Sequence, residues 1–455
     1  MLHAFSSKKL SPLALLGFSY VFLCGGPYGI ELAVASGGAL AAIVGLCLFA
    51  VLWALPQALL AAELTAAFPE AGTVVVWLTR GVGRRWAAVG AGCFAASQIL
   101  DVAIWPGQVA AYGASLAPAL APGSATSAAV QIVLVVLVTG ANLLGVGVVA
   151  AASVVSLVIT VVPFVILPFV ALARRVPFDV TAVAATPPLG SAALASLASS
   201  LLWTFQGFFS VANIAGSARD PQTMFPPVLL AVTSLIVLTY ALPIVYGVML
   251  IPANEWAVGS LAAVGAAAAP AVGTYVSLGA VCGNVMGGLA GTQLYALFLA
   301  RVARSGLLPL GRLGRALAWS RGGDGEECPP TGAILFLGAS TLALMFIDFT
   351  HVVATDTLLN LAGFSVVAVS FLRLRALEPD LPRPFRVPCG IAGARAVGGL
   401  CLAFTAIMMA VTAAGEWYAI VATAVVAAAL FVAAGYVADG ADGVSEQLIT
   451  REESS

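Results

Sequence analysis

Gly25-Gly26-Pro27-Tyr28-Gly29-Ile30-Glu31 interrupts the first long apolar segment of this chain. Proline removes a backbone donor, and glycine weakens a helix by about 1 kcal/mol relative to alanine. At membrane depth, such a break is tolerated only where protein encloses it or where it lines a cavity. Because a carboxylate follows the break directly, the stretch predicts a binding site around which the rest of the chain is built.

Composition places the chain in a membrane. Of its 455 residues, 61% are hydrophobic and 9% are charged, whereas about 25% of the residues of a soluble domain are charged. We therefore expect an all-α polytopic membrane protein with about twelve helices of bilayer length and no separate soluble domain. The predicted spans are 12–35, 40–66, 86–113, 128–147, 149–173, 194–217, 227–251, 268–300, 331–348, 351–374, 393–413 and 417–437.

The basic residues predict the orientation of these spans. If the N-terminus is cytoplasmic, only Arg174 and Arg175 lie outside, and all other lysines and arginines lie inside. Because cytoplasmic loops are enriched in lysine and arginine, we expect both termini in the cytoplasm. The plasma membrane is the expected location.

Two carboxylates are expected in the interior of spans, Glu31 just past the break in span 1 and Asp101 well inside span 3, and no lysine or arginine lies mid-span. A charge at the centre of a membrane helix costs about 2.5–3.5 kcal/mol on insertion scales, so an intramembrane acid without a base indicates an ion, a proton or a cationic substrate. A protonated acid that hydrogen-bonds a neighbouring helix is the alternative for each. No nucleic-acid partner is expected.

Polar and aromatic side chains repeat on one face of span 3. Asp101, Trp105, Gln108 and Tyr112 follow the helical period, and a carboxylate beside aromatic rings suits an organic cation. Aromatic residues also form belts at membrane surfaces, which is the alternative for Trp105 and Tyr112.

Span 6 carries a second interrupted run, which includes Trp203, Gln206, Gly207 and Phe208. Two broken helices at corresponding positions of two halves indicate an inverted-repeat transporter with its substrate between the breaks. Close helix packing is the alternative explanation for Gly207.

An enzyme is not expected, because no nucleophile, base and oxyanion constellation and no phosphate loop occurs. No cofactor is expected either. A metal site is disfavoured, since the sequence has no CxxC pair and its only histidines are His3 and His351.

Four stretches resemble the amino acid/polyamine/organocation (APC) permeases, and the similarity extends over nearly the whole chain. Residues 62–83 read AELTAAFPEAGTVVVWLTRGVG, and the run from Ile214 through Phe225-Pro226 includes Arg219-Asp220-Pro221. The loops ARSGLLP (303–309) and PDLPRPFRVP (379–388) are similar to loops of the same superfamily.

Within that superfamily the chain looks most like the polyamine-uptake group of plants and trypanosomatids. The break ending in Glu31, together with Asp101 and Trp105-Pro106, resembles that group's motifs. The chain departs from the plant-type pattern at Leu32, Phe209 and Ser217, where that pattern has acids. With fewer acids, diamines are expected before long polyamines.

The resemblance implies a LeuT-type fold with alternating access. Its first inverted repeat would be 12–173, its second 194–374, its two extra helices 393–437 and its cytoplasmic tail 438–455. Proton symport is the implied coupling, with Glu31 and Asp101 as candidates; sodium, with Thr292 near its site, is the alternative. The expected substrate-binding residues are Gly25, Gly26, Tyr28, Gly29, Glu31, Asp101, Trp105, Gln108, Trp203, Gln206, Gly207 and Phe208.

Residues and resemblance together favour a secondary transporter that imports polyamines, putrescine-like diamines first and spermidine second. A cationic or neutral amino-acid permease on the same fold is the alternative. A non-transporting nutrient sensor is a remote alternative. The oligomeric state is left open.

Overall fold

The structure is a computed structural model that describes residues 9–69, 73–185, 187, 189–321, 328–347, 349–415 and 417–452. Within these ranges, nine helices are long and apolar enough to cross a membrane, and three shorter apolar helices are Pro12–Leu23, Ser191–Thr204 and Thr331–Leu344. These helices occupy the twelve predicted segments. The prediction of an all-α polytopic membrane protein is confirmed.

In the first half of the chain, the described residues form seven α-helices. They are α1 Pro12–Leu23, α2 Glu31–Phe49, α3 Leu55–Ala67, α4 Thr73–Asp101, α5 Trp105–Leu116, α6 Ala125–Asn142 and α7 Val146–Ala173. A π-helical turn, Ala50–Ala54, joins α2 to α3. Ser11 begins α1 as its N-cap, because its side chain accepts a hydrogen bond from the Ala14 amide.

Nine further α-helices lie in the described part of the second half. They are α8 Ser191–Thr204, α9 Pro221–Val248, α10 Leu261–Ala268, α11 Pro270–Ser305, α12 Gly311–Ala318, α13 Thr331–Leu344, α14 Phe349–Leu377, α15 Gly390–Gly415 and α16 Trp417–Glu452. α16 therefore runs well beyond the predicted end of the last span at residue 437.

Span 1 is broken where the sequence predicted. α1 ends at Leu23 and α2 begins at Glu31, and Gly25, Gly26 and Gly29 between them have φ of 61°, 110° and 100°. Positive φ is a conformation that glycine adopts without steric cost. The seven-residue stretch between the two helices is therefore non-helical backbone inside the protein.

The boundary expected between spans 1 and 2 is a bend rather than a loop. α2 continues across Gly38, whose φ of 73° and ψ of 173° are not helical. The residues after the bend form the start of span 2. A similar bend at Gly83 places the first turns of α4, from Thr73 onwards, ahead of the predicted start of span 3 at residue 86.

Span 6 is also broken. α8 ends at Thr204, residues 205–209 are not helical, and Ser210–Ser217 forms a 3₁₀ helix. This 3₁₀ helix lies beside the beginning of α1, where the Leu10 amide donates to the Ser217 carbonyl at 2.8 Å.

Both breaks are mostly buried between packed helices. α14 packs along α4, while α11 packs against α5 and α7. Large apolar side chains on the outer faces of α6 and α7, such as Val136 and Val155, are exposed and face the lipid in a membrane-embedded chain. The polar groups of the bundle are consequently directed inward.

Candidate functional site

A cavity of about 110 Å³ lies between the two breaks. Its walls come from the end of α1, the junction of α4 and α5, the break of span 6, and the facing sides of α9, α11 and α14. Its polar side chains are Ser97, Asp101, Thr204, Gln206, Tyr240, Asn284, Tyr295, Asp356 and Asn360.

Asp101 lines this cavity at the last residue of α4. The hydroxyl of Tyr295 on α11 donates to its Oδ2 at 2.6 Å, and the side chain of Trp203 is hydrogen-bonded to it as well. Residues 102–104 then form a turn, in which the Ile104 amide donates to the Asp101 carbonyl. The carboxylate is therefore held by neutral donors at a helix interruption.

Asp356 on α14 is a second carboxylate in the cavity wall, and the sequence analysis missed it. It is fully buried; Ser97 donates to its Oδ1 at 2.5 Å and Gln206 donates to its Oδ2 at 2.8 Å. The signal was present, because residue 356 lies inside the predicted span 351–374. Glu31 and Asp101 are consequently not the only acids within the spans.

No basic side chain balances these two acids at the cavity. Among the described residues that line it, none is lysine, arginine or histidine. Carboxylates in a low-dielectric site need compensating positive charge or protons. The site is thus suited to a cation.

Aromatic rings form the apolar part of the wall. Trp105 and Trp203 both line the cavity. Trp105 lies directly against Gly288 of α11, where an added Cβ would collide with the indole ring. Glycine at this position therefore allows the ring to pack against the α11 backbone.

Several of the predicted site residues meet at the cavity. Gly25, Asp101, Trp105, Trp203, Gln206 and Gly207 all line it. Gly207 has φ of 95°, and an added Cβ would approach Phe22 at 3.1 Å. The break of span 6 therefore packs closely on the end of α1.

Glu31 lies apart from the cavity, in a buried cluster that we call the Glu31 latch. One carboxylate oxygen, Oε2, accepts from the Gly29 amide at 2.6 Å. The other, Oε1, accepts from the Gly259 amide at 3.2 Å and from the Tyr112 hydroxyl. The latch consists of Gly29, Glu31, Tyr112 and Gly259, and it joins the start of α2 to α5 and to the segment before α10.

The remaining predicted site residues surround the latch or pack in the core. Tyr28 is buried with its ring centroid 5.1 Å from that of Tyr112, and its hydroxyl donates to the Val276 carbonyl at 3.3 Å. Gln108 is buried, and its amide group has no hydrogen-bond partner among the described residues. Gly26 and Phe208 are buried and are not among the residues that line the cavity.

Comparison with known proteins gives relatives over most of the chain. A family model described as "Amino acid permease" matches residues 12–438. Polyamine transporter RMV1 of Arabidopsis thaliana is 29% identical over 389 residues, which cover 85% of this chain and 77% of the relative. Polyamine transporter PUT1 of Oryza sativa subsp. japonica is 29% identical over 391 residues, covering 85% and 71%.

Among solved structures, the crystal structure of MhsT in complex with L-phenylalanine is similar to this chain with a TM-score of 0.63. The two sequences are 13% identical, and the match covers 89% of this chain and 99% of MhsT. This likeness shows the fold, which is of the LeuT type. The predicted fold class is confirmed.

Proposed function

The chain belongs to the amino acid permease family and is a multi-pass membrane transporter rather than an enzyme, and from this premise we propose that it imports short polyamines. Putrescine-like diamines come first and spermidine second. Two relatives carry the name polyamine transporter, which supports this substrate class.

The observation that carries the proposal is a cavity with two carboxylates and, among its described lining residues, no base. Asp101 binds one ammonium group, and Trp105 and Trp203 pack on the methylene chain through apolar and cation–π contact. An amino-acid substrate would bring its own carboxylate close to these acids. Repulsion between like charges disfavours that arrangement.

Transport proceeds by alternating access, with protons as the coupling ion. One bundle of helices rocks against the other around the two breaks, in a fold whose first repeat is 12–173 and whose second is 194–374. Asp101 and Glu31 are the candidate proton carriers. Asp101 lines the cavity, whereas Glu31 lies in the latch that connects three elements beside the break of span 1.

The proposed location is the plasma membrane, with both termini in the cytoplasm. The latch then lies on the outer side of the cavity, and the contact between Leu10 and Ser217 lies on the inner side. This orientation follows from the distribution of lysine and arginine.

Uptake into proteoliposomes tests the proposal. The full chain is reconstituted, and uptake of labelled putrescine, spermidine, arginine and leucine is measured with and without an inwardly directed proton gradient. We expect saturable putrescine uptake that the gradient accelerates. Uptake of amino acids without uptake of putrescine would contradict the proposal.

An amino-acid permease is the second candidate. The description of the matching family and the L-phenylalanine bound to MhsT favour it. Competition separates the two: arginine or leucine blocks putrescine uptake in the amino-acid permease, whereas spermidine blocks it in the polyamine transporter. A sensor without transport activity would bind putrescine and fail to accumulate it.

A further inference from the structure

We infer that Asp356 is a second ammonium-binding site, which makes the cavity selective for a short dication. The inference rests on the proposed function, because it assigns the second charge of the same substrate. It identifies the residue that separates diamines from monoamines.

The balance of charge in the cavity favours a dication. Asp101 and Asp356 line one small cavity, and each is held by neutral hydrogen-bond donors. Attraction between opposite charges is strong in a desolvated site and weak in water. A monoamine leaves one of the two acids without a positive partner, whereas a diamine provides one for each.

The positions of the two acids relative to α4 suit a short diamine. Ser97 donates to Asp356 at 2.5 Å and precedes Asp101 by one turn of α4. Residues four apart on a helix have Cβ atoms about 5–6 Å apart, so Asp356 is bonded to α4 one turn before the position of Asp101. In an extended four-carbon diamine, five bonds separate the two nitrogens. An extended polypeptide advances about 3.5 Å for every three bonds, so the two nitrogens lie roughly 6 Å apart.

The surroundings of Asp356 allow an ammonium group of the substrate to replace the side-chain amide of Gln206 as hydrogen-bond donor. Gln206 lies in the non-helical residues 205–209, lines the cavity and donates to Asp356 Oδ2 at 2.8 Å. A neutral amide leaves the negative charge of the carboxylate uncompensated. An ammonium group that takes the place of this amide forms a charge-assisted hydrogen bond, which is the stronger interaction.

Asn360 is part of the hydrogen-bond network that holds Asp356 in position. It lies one turn after Asp356 on α14, lines the cavity, and donates to the Ser97 hydroxyl at 3.4 Å. Asp356, Ser97 and Asn360 thus connect α14 to α4 through hydrogen bonds. The position of the second carboxylate is set by helix packing and is not free to follow the ligand.

The test compares two substrates of equal carbon number in proteoliposomes. The ratio of kcat/KM for putrescine to that for n-butylamine is measured for the wild type, Asp356→Asn and Asp356→Glu. We expect Asp356→Asn to lower this ratio about 10- to 100-fold, because a hydrogen bond to a charged group is lost only for the diamine. Asp356→Glu keeps the charge, so it is expected to retain a preference for putrescine.

Asp179→Asn is the matched control, because Asp179 is exposed and its carboxylate accepts hydrogen bonds from Thr181, two residues later in the sequence. Thermal unfolding in detergent shows whether each variant is folded. If Asp356→Asn is folded, transports putrescine and keeps the wild-type ratio, the inference is wrong. The same holds if Asp356→Asn loses only its response to the proton gradient. If the wild type takes up amino acids and no diamine, the proposed function fails instead.

Discussion

At the residue scale, we expect cation binding to depend on the carboxylate of Asp101. Replacement by asparagine keeps the size of the side chain and removes its charge. We expect Asp101→Asn to abolish measurable putrescine uptake, which means a fall in the uptake rate of about 100-fold or more. The reason is that the loss of one partner of a buried charged pair costs about 2–5 kcal/mol. Uptake and surface biotinylation are measured together.

Surface expression of Asp101→Asn should match that of the wild type. Asp179→Asn, on an exposed loop, is expected to transport normally. Near-normal uptake by Asp101→Asn would remove this residue from the mechanism.

The Glu31 latch lies apart from the cavity, so we expect Glu31 to act in proton coupling and not in substrate binding. Glu31 accepts three hydrogen bonds away from the cavity. In Glu31→Gln, we therefore expect the apparent affinity for putrescine to change by less than about threefold, while the dependence of uptake on external pH is lost. The reason is that an amide cannot gain or lose a proton in this pH range.

Tyr112→Phe is the control for this prediction. It removes one donor to Glu31 and leaves the carboxylate in place, so the pH dependence should persist. An unchanged pH profile in Glu31→Gln would show that another group couples the proton.

At the scale of single elements, the break of span 6 depends on glycine at position 207. Its φ of 95° and the 3.1 Å approach of an added Cβ to Phe22 both oppose a side chain. We expect Gly207→Ala to destabilise the break by about 1–3 kcal/mol and to lower uptake at least tenfold. Gly107→Ala is the control, since Gly107 is helical and exposed with nothing within 4 Å of an added Cβ. Equal uptake by the two variants would contradict the prediction.

A buried ion-pair cluster connects α3 to the end of α14 and to the loop that follows it. The Glu63 carboxylate lies 2.6 Å from Arg375 and 3.3 Å from Arg383, and it accepts from the Val387 amide at 2.7 Å. Glu63→Gln leaves two buried arginines without this partner. We expect a loss of about 3–5 kcal/mol in stability, measured as a lower midpoint of thermal unfolding in detergent.

Glu378→Gln is the matched control for that cluster. Glu378 pairs with Arg80 at 2.5 Å, and the two side chains are 27% and 47% exposed. A solvent-exposed pair contributes only about 0–1 kcal/mol. A similar drop in the unfolding midpoint for both variants would show that the buried Glu63 cluster contributes no more to stability than the exposed pair of Glu378 and Arg80.

At the scale of the whole molecule, the orientation is open to direct measurement. In a variant whose only cysteine is Cys389, which is exposed, a membrane-impermeant thiol reagent should react only from the cytoplasmic side. A single cysteine introduced as Asp179→Cys lies in the loop before α8 and should react only from outside. Labelling from the opposite sides would reverse the proposed orientation.

Much of the fold was predictable because its signals are local. Hydropathy located the twelve spans, and the run from Gly25 to Glu31 located the first break by the chemistry of proline and glycine. The bend at Gly38 was not predicted. A single glycine in an apolar segment is equally consistent with close packing or with a sharp turn, and only the packing of the flanking helices decides between them.

Local sequence patterns are sufficient to identify a membrane protein with two interrupted spans and with intramembrane acids that no mid-span base balances, because each of these properties belongs to a single segment. Which acids share a cavity depends instead on how distant segments pack. Packing of α14 along α4 brings Asp356 to Ser97, one turn before Asp101, whereas the fold turns Glu31 away into contact with Tyr112 and Gly259. Contacts between residues 81 to 259 positions apart depend on which helix faces meet, and no local pattern encodes that choice.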